Sequence, residues 1–142
     1  MRTLVITAFV RLGLGLGLGL AVVACSKSGD SDKASGSGSG GARDAVVAAW
    51  KDAKLMPSPL TPATVTFGKD CQSGTVEGVD VLLCNFASAA EAKAAEDQGL
   101  TWVGQATGAA QAHGAALVVL ADRRKTDPSG RTINRLMKLA PK

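Results

Sequence analysis

The chain has 142 residues, of which 46% are hydrophobic, 20% charged and 4% aromatic, with a formal net charge of +4. That length holds one ordinary domain, and a single histidine, three cysteines and no tyrosine exclude a histidine-rich metal cluster and a disulfide-dense knot. Without Arg2 and Arg11, 14 basic residues face 12 acidic ones, a surplus too small to mark a nucleic-acid binder.

Residues 1–24 read as an export signal. Arg2 and Arg11 precede an apolar stretch from Leu12 to Ala24. As a helix this stretch would rise only about 20 Å, short of a hydrocarbon core of roughly 30 Å. Extending it back to Leu4 would bury Arg11 in lipid at a cost of about 3 kcal/mol. A cleaved signal therefore fits better than a membrane span.

Val22-Val23-Ala24-Cys25 ends this segment. The four residues resemble the lipobox of bacterial lipoproteins: a branched apolar residue, a variable one, a small one and then cysteine. The resemblance covers residues 1–25. It implies that the Cys25 thiol takes a diacylglycerol, that signal peptidase II cuts before Cys25, and that the new amine is acylated. Two or three acyl chains anchor a protein durably, since each buried methylene contributes about 0.8 kcal/mol. Ser26 stands where the family's inner-membrane retention signal has aspartate. The resemblance thus implies the cell envelope, and the outer membrane where a cell has two. The mature domain resembles only small lipoproteins with no assigned activity, so no activity is carried over.

Residues 25–42 form the lipidated cysteine and a tether, SKSGDSDKASGSGSGG over residues 26–41. Without large apolar residues this stretch cannot offset the entropy of ordering. Its 16 residues average roughly 20 to 25 Å end to end. Gly36, Gly38 and Gly41 match G-x-G-x-x-G by letter, but no βαβ unit surrounds them and no nucleotide is expected.

The domain occupies residues 43–142. Val46, Val47, Trp50 and Ala53 recur at helical spacing, so a helix is expected over Asp44–Leu55, stopped by Pro57 and Pro59. Trp50 reads as a core plug. Val65-Thr66-Phe67 is strand-like. Two further runs, Cys71–Val76 and Val79–Phe86, flank Glu77-Gly78. A two-residue turn there sets Val76 opposite Val79, Gly74 opposite Val81 and Cys71 opposite Cys84. Counting outward makes the cysteine pair non-hydrogen-bonded, with Cα atoms near 4.5 Å, within disulfide reach. Export favours the same bridge. Glu-Gly is a weaker hairpin signal than Asn-Gly, so a longer loop and another register stay open.

Ser88-Ala89-Ala90-Glu91 is a capping-box sequence. An Ala-rich helix follows, with Gly99 as its left-handed stop and Lys93 and Asp97 four apart on a solvated face. Ala92 and Ala95 leave its other face slim. Leu100–Gly114 is expected to hold a short strand over Thr101–Gln105, a turn and an unassigned segment. Ala115–Ala121 is an unbroken apolar run, suited to a strand buried on both faces. Asp127-Pro128 fits a helix cap and first helical position, while Gly130 favours a turn with the helix starting at Thr132. Ile133, Leu136, Met137 and Ala140 form one helical stripe. The order predicts an α+β two-layer sandwich, with a mostly antiparallel sheet and about three helices.

Charge is uneven along the domain. Residues 43–121 balance at −3 and residues 122–142 at +5. Arg123, Arg124, Lys125, Arg131 and Arg135 form a candidate patch for lipid phosphate, anionic glycan or an acidic partner; the bland reading is a solvated helix face and loop. Nucleic acid is a poor target where stacking aromatics are scarce. His113, among Gly and Ala, reads as an exposed turn residue, and no G-x-S-x-G occurs. Asp122, Asp127 and Ser129 match no ion loop. The expectation is a non-catalytic binding or structural module without cofactor, metal or catalytic residues, anchored by its lipid and facing an anionic envelope partner or protein. The alternative is a redox or metal-handling protein using Cys71, Cys84 and His113.

Overall fold

The computed structural model describes residues 41–142; the signal segment, Cys25 and most of the tether lie outside the described residues. The elements run α1 (Ala42–Asp52), β1 (Thr61–Val65), β2 (Gly68–Val76), β3 (Val79–Asn85), α2 (Ala89–Ala94), α3 (Glu96–Val103), β4 (Thr107–His113), β5 (Ala116–Asp122) and α4 (Arg131–Leu139). The five strands form one antiparallel sheet in the order β1-β2-β3-β5-β4. The α+β class and the antiparallel sheet are as expected. The number of layers differs, because helices cover both faces.

Side-chain alternation explains the third layer. β3 from Val81 to Cys84 and β5 from Ala116 to Ala121 are apolar at every step and buried, so each face of the sheet needs its own cover. Val81, Leu83, Val118 and Leu120 point one way and pack with Val46 and Trp50 of α1 and Ile133 and Leu136 of α4. Leu82, Cys84, Leu117 and Val119 point the other way, toward Ala95 and Val103. Trp50 is the core plug expected: it is fully buried, and its indole N–H donates to the Leu136 carbonyl at 2.9 Å. That bond satisfies the ring's polar atom inside the core.

The β2–β3 hairpin has the expected register. Val76 pairs with Val79, Gly74 with Val81 and Cys71 with Cys84. Glu77 and Gly78 both take positive φ, 49° and 86°, the mark of a primed turn that follows strand twist. The Cys71–Cys84 disulfide is formed, with its Cα atoms 4.0 Å apart.

Two expectations fail between residues 96 and 113. Thr101–Gln105 is not a strand: α3 runs through Val103, and the strand is β4, Thr107–His113. Gly99 does not stop the helix; it lies buried within α3. A Cβ on Gly99 would come 2.8 Å from Ala110 Cβ and 3.0 Å from a Val119 methyl. The missing side chain lets the helix backbone settle directly on β4 and β5. Gly104, at φ 67°, follows α3 as its C-cap. β4 is made of residues with weak strand preference (TGAAQAH), so its pairing with β5 defines it. The Ser88 cap holds as read: its hydroxyl accepts the Glu91 N–H at 3.2 Å, and Glu91 accepts the Ala87 N–H at 3.2 Å. Lys93 pairs with Glu96 at 2.7 Å rather than with Asp97.

The sheet has two poles. Asn85 lies opposite Ala116 at one, and Asp80 lies opposite Ala121 at the other. Gly41, where the chain enters α1, sits at the first. There Asn85 Oδ1 accepts the Arg43 N–H at 2.8 Å, capping a helix whose own N-cap residue offers no side chain. Asp70 ties both partners together, accepting from Arg43 at 2.7 Å and from Asn85 at 2.8 Å. The Asn85 bond, then the Arg43 bond, hold the Asp70 carboxyl below its ordinary value.

Candidate functional site

The other pole carries the basic loop that follows β5. β5 ends in a buried carboxylate, Asp122, and the chain must then reverse to begin α4. Asp122 organises that reversal. Its two oxygens accept the Thr126 N–H at 2.8 Å, the Thr126 hydroxyl at 3.1 Å and the Asp127 N–H at 2.7 Å. Burial pushes its pKa up, but these bonds outweigh burial and hold the carboxyl below its ordinary value. Asp127 does the next part of the work. Its carboxylate accepts the Arg131 N–H at 2.9 Å and the Ile133 N–H at 3.0 Å. Asp127 is not the N-cap with Pro128 as first helical residue: Pro128 lies in a turn, and Asp127 reaches the helix N–H groups from beyond Gly130, which holds the N-cap position in a left-handed conformation. The helix begins at Arg131. Both carboxylates are committed to backbone N–H groups.

Arg123 and Arg124 are fixed from outside the loop. Asp80, beside the hairpin turn, meets Arg124 at 3.0 Å and Arg123 at 3.5 Å. The Arg123 guanidinium also lies 3.9 Å from the centroid of the Trp102 ring and donates to the Trp102 carbonyl at 2.6 Å. Arg124 donates to the Gly78 carbonyl at 3.2 Å. A guanidinium held flat on an indole and by a carboxylate has already lost much of its rotamer freedom. One carboxylate serves two arginines, so the group keeps net positive charge. Lys125 stands next to it at positive φ, 56°.

Arg123, Arg124 and Lys125 share the pole. Arg131 opens α4. Arg135 lies a turn further along and donates to the Ala53 carbonyl at 3.4 Å, satisfying a carbonyl just past the end of α1. A depression of about 630 Å³ is lined by Arg123 and Lys125 together with Gln105 and Thr107. A second, of about 350 Å³, lies on the other flank of Arg123 against Trp102. Asp80 and Trp102 were not picked out by sequence reasoning. Each is far from the basic loop along the chain, and only the sheet register brings them together.

Comparison with protein-family models, with curated proteins and with solved structures gives no match. The reading of this pole therefore rests on its own residues.

Cys71, Cys84 and His113 are not brought together. The disulfide lies on the face covered by α2 and α3. His113 belongs to the other side of β4 by alternation with Ala110. His113 is also not the exposed turn residue expected: it ends β4 and is 6% exposed. It pairs with Ala116 across the tight Gly114-Ala115 turn, and that short turn keeps the ring inside the fold. Neither ring nitrogen has a hydrogen-bond partner. Burial pushes its pKa down, against the opposing pull of the nearby Pro141 and Ala140 carbonyls and Glu96. Among the described residues, no group of three or more His, Cys, Asp or Glu side chains is placed to hold a metal ion, and no helix is long and apolar enough to cross a membrane.

Proposed function

We propose that the protein is a lipid-anchored envelope lipoprotein whose domain is a non-catalytic binding module, presenting the Arg123-Arg124-Lys125 pole to an anionic partner. The Cys25 lipobox is the ground for the anchor. The observation that carries the binding reading is the fixed arginine pair. Two guanidiniums held by one carboxylate and one indole are preorganised to receive a second anion with little further ordering.

The commitment of Asp122 and Asp127 to backbone N–H groups supports a module without acid–base chemistry.

Intact mass of the protein extracted from a membrane fraction tests the anchor. Loss of residues 1–24 with a gain of fatty-acyl mass is expected, and an unacylated mass overturns the anchor. Capture of envelope material by the wild type and by an Arg123→Glu, Arg124→Glu, Lys125→Glu variant tests the pole. Unchanged, salt-insensitive capture by the variant overturns the binding reading.

A further inference from the structure

α2 and α3 pack over β4 and β5. Beside them on the same face lies the depression of about 350 Å³ lined by Thr61, Ser73, Thr75, Trp102, Arg123 and Arg124. Alternation sets Ser73 and Thr75 on the face of Cys71, and Thr61 pairs with Ser73 across the strand. Thr61 is exposed and Ser73 and Thr75 are half-buried, so a row of hydroxyls floors the depression within reach of a ligand. Trp102 walls it. The fixed arginine pair, with Asp80 between them also lining the depression, closes its polar end.

We infer that this depression is a binding subsite for an acidic glycan, with the sugar ring against Trp102, its hydroxyls on Thr61, Ser73 and Thr75, and its carboxylate at Arg123 and Arg124. The inference rests on the proposed reading of the basic pole and names its partner. Three features favour a glycan over other polyanions. The floor offers hydroxyls, which both donate and accept and so match sugar hydroxyls. Strand β2 has its backbone groups engaged by β1 and β3 on either side, so a peptide laid over the floor would find no backbone ladder to join. The half-buried indole has one face covered by Arg123; the rest of the ring supplies an apolar wall that a sugar ring can pack against and a phosphate cannot use. Charge complements the carboxylate, because Asp80 neutralises only one of the two guanidiniums.

The test is titration of the full mature chain with oligogalacturonate, beside polyglutamate and vesicles containing anionic phospholipid. Oligogalacturonate is expected to bind at least tenfold more tightly than either control. The Ser73→Ala, Thr75→Ala double variant should weaken it about fivefold, and Trp102→Ala about tenfold. Should Trp102→Ala fail to fold, the double variant and amide shifts at Ser73 and Thr75 on titration carry the test. Equal binding of polyglutamate or vesicles, or oligogalacturonate binding untouched by the double variant, overturns the glycan subsite while leaving the anionic pole standing. Absence of binding to all three probes overturns both.

Discussion

Cys71 stands directly across from Cys84 at a non-hydrogen-bonded position of the β2–β3 hairpin, with Cα atoms 4.0 Å apart. Both residues are buried, and the bridge closes a loop of sequence separation 13. In the chain-entropy description such a loop contributes about 3 kcal/mol. A Cys71→Ala, Cys84→Ala variant is expected to lose about that much in urea unfolding. Burial also predicts that mild reductant leaves the native bridge intact, with two thiols reacting only after unfolding; thiol counting under native conditions checks this.

His113 makes a separate prediction about pH. Burial lowers its pKa in the folded chain, so the unfolded chain binds the extra proton first. Its contribution is complete above the ordinary histidine value of about 6.5 and is lost as pH falls from there toward the lower folded value. Glu96 opposes this loss and Lys142 adds to it. The carboxylates of Asp70, Glu96 and Asp122 also have lowered values. Their contributions fall away only below about pH 4.5, in a lower window. A His113→Leu variant should therefore flatten stability between pH 7 and 5 and leave the steeper loss near pH 4. An unchanged profile between pH 7 and 5 would show that the ring protonates without cost.

The difference between what was legible in the sequence and what was not follows the range of the deciding interaction. The hairpin register was readable because a two-residue turn counts outward to Cys71 and Cys84 without outside help. The apolar run ending at Ala121 was readable because a short apolar run that contains β-branched Val118 and Val119 and is bounded by Gly114 suits a strand buried on both faces. The segment from Gly99 to His113 was not. Gly99 is a helix stop in isolation; it becomes a contact surface only because Ala110 and Val119 lie beneath it. The basic loop was visible as charge, but its arginines are placed by Asp80 and Trp102, whose roles exist only in the folded sheet. His113 looked exposed among small residues, yet small residues are what let the surrounding chain close over it.

Gly99 supplies a prediction with a clear mechanism. A valine there places its Cβ within 2.8 Å of Ala110 Cβ and 3.0 Å of Val119, inside any ordinary contact. Overpacking of this kind costs about 1 to 3 kcal/mol, on top of the helix-propensity change. Gly99→Val should lower the unfolding free energy by that amount, with a lower urea midpoint at unchanged slope, and shift amide resonances of β4 and β5. Gly99→Ala should show a smaller effect of the same sign, because helix preference offsets part of the clash. A stabilised alanine variant would mean that α3 can move off the sheet at little cost.

Asp127 couples stability to the basic pole. α4 starts with Arg131, a cation at the end of a helix that favours anions. The Asp127 carboxylate compensates by accepting the N–H groups of Arg131 and Ile133, and Ile133 carries that turn into the core. Asp127→Ala removes both bonds and leaves the helix end uncapped, at a cost of about 1 to 2 kcal/mol. Asp127→Asn keeps one good acceptor and should lose less. Because the Asp127 N–H is also held by Asp122 at 2.7 Å, fraying at α4 reaches back into the turn that carries Arg123, Arg124 and Lys125. The alanine variant should therefore lose both unfolding free energy and affinity for a polyanion. Arg124→Ala, at a more exposed position, should lose affinity with little change in stability. Equal effects of the two substitutions on stability would break the assignment of Asp127 as the cap and Arg124 as the ligand-facing cation.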